Sequence, residues 1–246
     1  EILRCLVGSE MCIRDRNDPE SVAVFGEPRL GFLVSAGNMD SMVNHYTVNK
    51  KHRHEDAYSP GGEAGRRPNH AAVVYSNLIR RTFKKTPIIL GGIEASLRRL
   101  AHYDYWSDTL KRSILMDSGA DLVSYGMGER SIVEIADALA SGLSVADLTF
   151  IDGTVYRTRS LDHVVDYVML PSWEEVSASK RAFAESFAEQ YRASDPITGK
   201  RLVEAYPHGV YVVQNPPALP LSTAELDAVY RLPFTGRWHP SYDCLL

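Results

Sequence analysis

Three short apolar runs punctuate the first half of the chain, at 30–35, 87–90 and 121–125, and glycine closes each of them. The first ends in Ala36, Gly37 and Asn38, the second in Gly91 and Gly92, the third in Gly126, Met127 and Gly128. Runs of this length, rich in Ile, Leu and Val, predict strands buried on both faces of a parallel sheet. Between them the period changes. Over 69–85 the apolar or small residues Ala72, Val73, Ser76, Leu78, Ile79 and Phe83 follow helical spacing, and basic residues close the last turn. Over 129–140 Ile132, Val133, Ile135, Ala136 and Leu139 form a second stripe. Strand, glycine turn and helix in repetition predict an α/β fold, a doubly wound parallel sheet with right-handed crossovers.

After Ser141 the pattern weakens. Residues 153–166 mix β-prone pieces with polar ones, and Ser172-x-x-Glu175 is a capping box. It predicts a helix with Val176, Phe183, Phe187 and Tyr191 on one side. Residues 194–200 read as a turn. Leu202 to Glu204 and Val210 to Val213 can pair as a hairpin across Pro207, His208 and Gly209, with Pro207 leaving the register open. Ser222-x-x-Glu225 opens a short helix ending near Arg231. The expected organisation is an α/β domain over 17–150 and a mixed helix-plus-hairpin extension or linker over 151–243.

Composition narrows the class. The 246 residues are 44% hydrophobic and 24% charged with a formal net charge of −4, which excludes collagen-like, disordered and coiled-coil chains. No apolar run approaches the roughly 20 residues of a membrane helix. Mild acidity argues against coating nucleic acid. A soluble, cytoplasmic protein without a membrane partner is expected. The three cysteines, Cys5, Cys12 and Cys244, lie at the two ends and make neither a disulfide framework nor a zinc site. Residues 5–16 also read as one-frame translation of a sequencing adapter, and 244–246 as the start of its reverse complement. On that reading 1–16 is irregular and 17–243 is free of thiols.

The three strand-end turns are the first candidates for binding. They carry Gly37, Asn38, Met39 and Asp40; Gly91, Gly92, Ile93, Glu94, Ala95 and Ser96; and Gly126, Met127, Gly128, Glu129 and Arg130. In open α/β sheets ligands sit outside the carboxyl ends of the strands, where glycine admits the backbone and helix N–H groups meet anions. Plain turn chemistry is the stronger reading of any one of them, and three on one edge bring binding level with it. No G-x-G-x-x-G, Walker A or G-x-S-x-G pattern occurs. The segment 94–108 is denser, with Arg98, Arg99, His102, Tyr103, Asp104, Tyr105, Trp106 and Asp108 in succession. It reads as a ligand wall, with arginines for a phosphate or carboxylate and aromatics for a flat ring. An interdomain contact surface uses the same residue types. His45, His52, His54 and His70 surround a charged loop at 49–67, where a solvated loop outweighs a metal site. No metal ligand or catalytic residue is assigned.

The stretches AGNMDSMVNHYT (36–47), PIILGGIEASLRRLAHYDYWSD (87–108) and YGMGERSIVEIA (125–136) resemble the amino-terminal domain of YgiQ-type (UPF0313) radical S-adenosylmethionine (SAM) proteins. Residues 214–242 resemble the segment joining that domain to a catalytic barrel, so the resemblance covers 30–243. It implies a flavodoxin-like, cobalamin-domain-like unit and a barrel whose three-cysteine motif holds a 4Fe–4S cluster that binds and cleaves SAM. That motif would begin shortly after Tyr242. The chain alone would then hold no cluster and be inactive, its partner being the missing barrel, with cobalamin undecided. The family's first two strands would precede Asn17, leaving the 30–35 strand an exposed edge. The alternative is a stand-alone Rossmann-like module binding a nucleotide or cobalamin-like ligand without catalysis.

Overall fold

The computed structural model describes residues 3–6, 22–23, 26–56 and 62–233. Its strands in chain order are β1 (Leu3–Leu6), β2 (Gly31–Val34), β3 (Ile88–Leu90), β4 (His102–Asp104), β5 (Thr109–Lys111), β6 (Leu122–Ser124), β7 (Thr154–Thr158), β8 (Tyr167–Met169), β9 (Arg201–Tyr206) and β10 (Val210–Gln214). The helices are α1 (Ser41–His45), α2 (Ala71–Thr82), α3 (Gly92–Leu97), α4 (Ile114–Asp117), α5 (Glu129–Ala140), α6 (Trp173–Ala178), α7 (Lys180–Arg192) and α8 (Thr223–Tyr230). Eight strands form one sheet in the order β1-β2-β3-β6-β7-β10-β9-β8. Strands β1, β2, β3 and β6 run parallel, β7 turns antiparallel to β6, and β10 lies antiparallel to both β7 and β9. Strands β4 and β5 form a separate hairpin.

Alternation along the central strands assigns their side chains to two layers. Ile88 and Leu90 join Phe32, Val34 and Val123 in the layer that packs on Ala71, Ala72, Tyr75, Leu78 and Ile79 of α2. Ile89 and Leu122 join Ile135 and Leu139 of α5 on the other face. A strand covered on both sides has no polar face, which is why β3 and β6 read as continuous apolar runs. The same division continues through the second half, where Leu202, Tyr206 and Val212 lie in the first layer and Val203 and Val213 in the second. The region read as an extension therefore contributes four strands to the sheet itself.

Two expectations are corrected and a third, the hairpin, is met. The outer edge of β2 is paired in parallel by Leu3–Leu6, so that stretch is not irregular and the edge is not open. An unpaired edge offers a row of N–H and C=O groups that a short extended segment satisfies. Residues 7–16 and 244–246 lie outside the described residues. The single helix expected after Ser172 is two, because Ser179 is extended and caps α7 with its own hydroxyl. Along that stretch Val176 is buried, whereas Phe187 and Tyr191 face solvent. The 202–213 hairpin forms with Val213 opposite Val203, and Pro207 sits in the turn rather than in the ladder. No helix among the described residues is long and apolar enough to cross a membrane.

Leu122 is fully buried at the centre of the second layer. Leu122→Ala should lower the stability measured by urea unfolding by about 2–5 kcal/mol. A loss below about 1 kcal/mol would contradict a close-packed second layer.

Candidate functional site

The strand-end turns do meet. Gly91, Gly92, Gly126 and Gly128 line a crevice of about 200 Å³ with Ser35 and Ser124, floored by Leu33, Val34, Ile89, Leu90 and Ile132. Gly92 adopts φ +78°, and a Cβ there would stand 3.2 Å from the Ser35 Cβ, so only glycine lets the first two turns approach. The Ser96 hydroxyl donates to the Gly92 carbonyl at 2.8 Å and accepts from the Gly126 N–H at 3.2 Å, tying the second turn to the third. Gly37 lies beside the crevice, with its carbonyl 3.4 Å from that Cβ position. Asn38 and Glu129 are exposed outside it. No charged side chain lines this crevice.

The buried carboxylates organise the edge. Glu94, fully buried in α3, accepts the Ser41 N–H at 2.8 Å through one oxygen and the Ala72 N–H at 2.9 Å through the other. It thereby joins the first turns of α1 and α2, whose free N–H groups favour an anion. Asp40 caps α1 by accepting from the Met42 N–H at 2.9 Å, and its second oxygen pairs with Arg98. Burial alone would lower the Arg98 pKa, but the hydrogen bond to Asp40 and the nearby Glu94 and Asp104 carboxylates raise it. Arg99 turns the other way. It donates to Gln214 Oε1 at 2.7 Å and to the Ser96 carbonyl at 2.6 Å, and its guanidinium lies 4.9 Å from the Tyr125 ring centroid. Both arginines are therefore engaged inside the fold.

The rest of the 94–108 segment becomes the β4–β5 hairpin, an element that its sequence did not announce. Strand β9 pins both of its ends. Glu204 accepts the Ala101 N–H at 3.1 Å and the Tyr206 O–H at 2.6 Å, while the Tyr206 oxygen accepts the Ser113 N–H at 2.8 Å. Burial pushes the Glu204 carboxyl up to about 7, only partly opposed by those two donors. At the hairpin tip, Tyr105 donates to the Val48 carbonyl at 2.7 Å, and Tyr103 donates to Asp108 at 2.5 Å. Trp106 packs on Tyr46 and Tyr105, with ring centroids 6.2 and 5.4 Å away. Its indole N–H is buried without an acceptor among the described residues. His102 lines the same surface, and burial lowers its pKa.

These residues line a cleft of about 490 Å³. Its floor is Asp40, Arg98, Ala101, His102 and Asp104, and its walls include Tyr103, Tyr105, Trp106 and the α7 residues Phe183 and Phe187. The 49–67 loop is also less solvated than its composition suggests. Arg67 donates to Asp56 at 2.9 Å and to the Ala36 carbonyl at 3.0 Å, with both charged side chains about 1% exposed. An Asp and an Arg eleven positions apart in a polar loop carry no periodic signal, so this anchor was not legible. The pair borders a polar cavity of about 460 Å³ that includes His45 and His52. Among the described residues no group of three His, Cys, Asp or Glu side chains could hold a metal ion.

Comparison with known proteins bears on this geometry. The family model described as "Radical SAM N-terminal" matches residues 11–245. The chain is 51% identical over 227 residues to a UPF0313 protein of Clostridium botulinum strain 657, covering 92% of this chain and 35% of the relative. It is 53% identical over 228 residues to a UPF0313 protein of Methanocella arvoryzae, covering 93% of this chain and 38% of that one. The chain thus spans little more than a third of the length of these curated relatives. No solved structure matches it.

Two measurements check the clamps. Glu94→Gln replaces one acceptor by an amide N–H facing a helix N–H, and should cost about 2–4 kcal/mol in urea unfolding. Retention of wild-type stability would deny Glu94 its double role. For Glu204, the folded-state carboxyl titrates near 7, above its ordinary 4.5. Its contribution is therefore complete below about pH 4.5 and lost as pH rises through about 7, a decline of up to ~3 kcal/mol. Glu204→Gln should flatten the stability profile in that window. A wild-type profile already flat there would refute the assignment.

Proposed function

Because the chain belongs to the Radical SAM N-terminal family, we propose that it is the accessory domain of a radical SAM iron–sulfur enzyme and covers the catalytic part of the same polypeptide with its strand-end edge. The carrying observation is the exposed apolar surface there. Met39, Val43, Ile93, Leu97 and Met127 all follow the carboxyl ends of β2, β3 and β6, and each is at least 36% exposed. Tyr103, Tyr105 and Phe187 extend the exposed apolar side chains around the larger cleft. Exposed apolar side chains gathered after the ends of neighbouring strands mark an interaction site.

Iron–sulfur clusters are held by cysteine thiolates. The described residues include a single cysteine, Cys5, so they do not fit a cluster. No chemical step is assigned to them. In this reading the parent protein carries the cluster and SAM, and this domain contributes enclosure by excluding water from the reacting centre. The cytoplasm, where thiolates stay reduced, is the matching compartment. The alternative of a stand-alone nucleotide or cobalamin-like module has less support. The strand-end crevice is smaller than the ~300–1,000 Å³ of ordinary ligand pockets and has no cation to meet a phosphate.

Replacing the matched region of the Clostridium botulinum relative with this chain gives a testable whole protein. After cluster reconstitution it should cleave SAM. Leu97→Asp and Ile93→Asp should reduce that cleavage at least about tenfold, while the thermal midpoint of the 246-residue chain is unchanged. Wild-type cleavage by both variants would defeat the covering role.

A further inference from the structure

We propose that the cleft between the β4–β5 hairpin and α7 binds an organic cation with a flat apolar body, such as an aryl amidinium or arylalkyl ammonium. The argument begins with charge. Asp40, Arg98 and Asp104 on the floor are each more than nine-tenths buried. Asp40 and Arg98 neutralise one another as an ion pair. Asp104 uses one oxygen to accept the Ser107 N–H at 3.2 Å and the Ser107 O–H at 2.5 Å. No donor among the described residues reaches its other oxygen. Arg98 and His70 lie close enough to act on Asp104, and the three buried floor groups together carry one net negative charge.

The remaining floor group acts in the same sense. His102 Nδ1 lies 3.1 Å from the Leu100 carbonyl, which can only accept, so the proton sits on Nδ1. Its Nε2 is left as an acceptor, and burial favours the neutral ring. An anion would meet a carboxylate and an imidazole lone pair here, the opposite of the phosphate or carboxylate suggested by two consecutive arginines. The walls suit a cation as well. Tyr103, Tyr105, Trp106, Phe183 and Phe187 line the space, and aromatic faces attract cations. Tyr105 already has the Lys50 ammonium 4.9 Å from its ring centroid. A volume of about 490 Å³ lies within the range of small-ligand sites. The inference goes beyond the covering role, and binding by this chain neither requires that role nor tests it.

The test titrates the 246-residue chain with benzamidine, its neutral analogue benzamide and its anionic analogue benzoate, read by isothermal titration and by the tryptophan fluorescence that a Trp106→Phe chain loses. Benzamidine should bind saturably and at least about tenfold more tightly than benzoate, with benzamide between them. Asp104→Asn should weaken benzamidine roughly fivefold or more and narrow its advantage over benzamide. Phe187→Ala, at a residue 60% exposed, should weaken it without moving the thermal midpoint. Benzoate binding as tightly as benzamidine would overturn the proposal. So would no saturation by about 10 mM, or a Phe187→Ala chain that binds like the wild type.

Discussion

Glu94 is buried without a salt bridge among the described residues, and the arrangement of the whole strand-end edge follows from how it is satisfied. Its two oxygens take one N–H from the start of α1 and one from the start of α2. An unpaired carboxylate in that position would cost several kcal/mol, whereas two helix N-termini supply donors that would otherwise be orphaned. The Ser41 hydroxyl, which accepts the Ala71 N–H at 3.1 Å, closes the same junction. With α1 fixed, its cap Asp40 is brought to Arg98 four residues beyond Glu94, and the start of the cleft floor is set. A structural carboxylate and a ligand-facing surface thus lie on opposite sides of one short helix.

That arrangement changes what the dense 94–108 segment means. Consecutive arginines beside aromatic residues suggest recognition of a phosphate. In the folded chain one guanidinium is matched to Asp40 and the other lies against Gln214 and Tyr125. Arginine is used here for its fork of fixed donors, each branch tying one part of the sheet edge to another. With Asp104 beside the Asp40–Arg98 pair, the buried floor groups sum to one net negative charge. Counting residue types gives a basic segment, and counting pairs gives an acidic cleft.

The layers of the fold were legible because they rest on short-range pattern. Strands β2, β3 and β6 and helices α2 and α5 announce themselves through apolar runs, glycine stops and a period of 3.6. The meeting of the glycine turns on one edge follows from parallel strands, and the crevice confirms it. What was not legible depends on partners far apart in sequence. Glu204 lies more than 100 positions from Ala101, and no local pattern marks a strand glutamate that faces inward to hold a hairpin. The Asp56–Arg67 anchor hides in a loop whose composition reads as solvated. The break at Ser179 was missed for the opposite reason. A strong apolar spacing from Val176 to Tyr191 suggested one side of one helix, although Phe187 and Tyr191 are exposed and only Val176 is buried.

The part of that spacing carried by α7 connects the fold to its use. Phe183 and Phe187 lie one helical turn apart on α7, so they project on the same side and form one wall of the cleft. Their spacing is that of a core-facing stripe, yet α7 buries only Ser186 among its residues. An apolar stripe without a core behind it is costly in water unless something else covers it. The hairpin that forms the opposite wall is held by two hydrogen bonds from β9, one of them to a carboxyl that titrates near neutrality. The cleft is therefore built from a salt-bridged floor, a hairpin wall held on β9 and an apolar wall on α7. A ligand or partner entering between Phe187 and Tyr105 would bury surface that the isolated chain leaves wet, without disturbing the Glu94 junction beneath it.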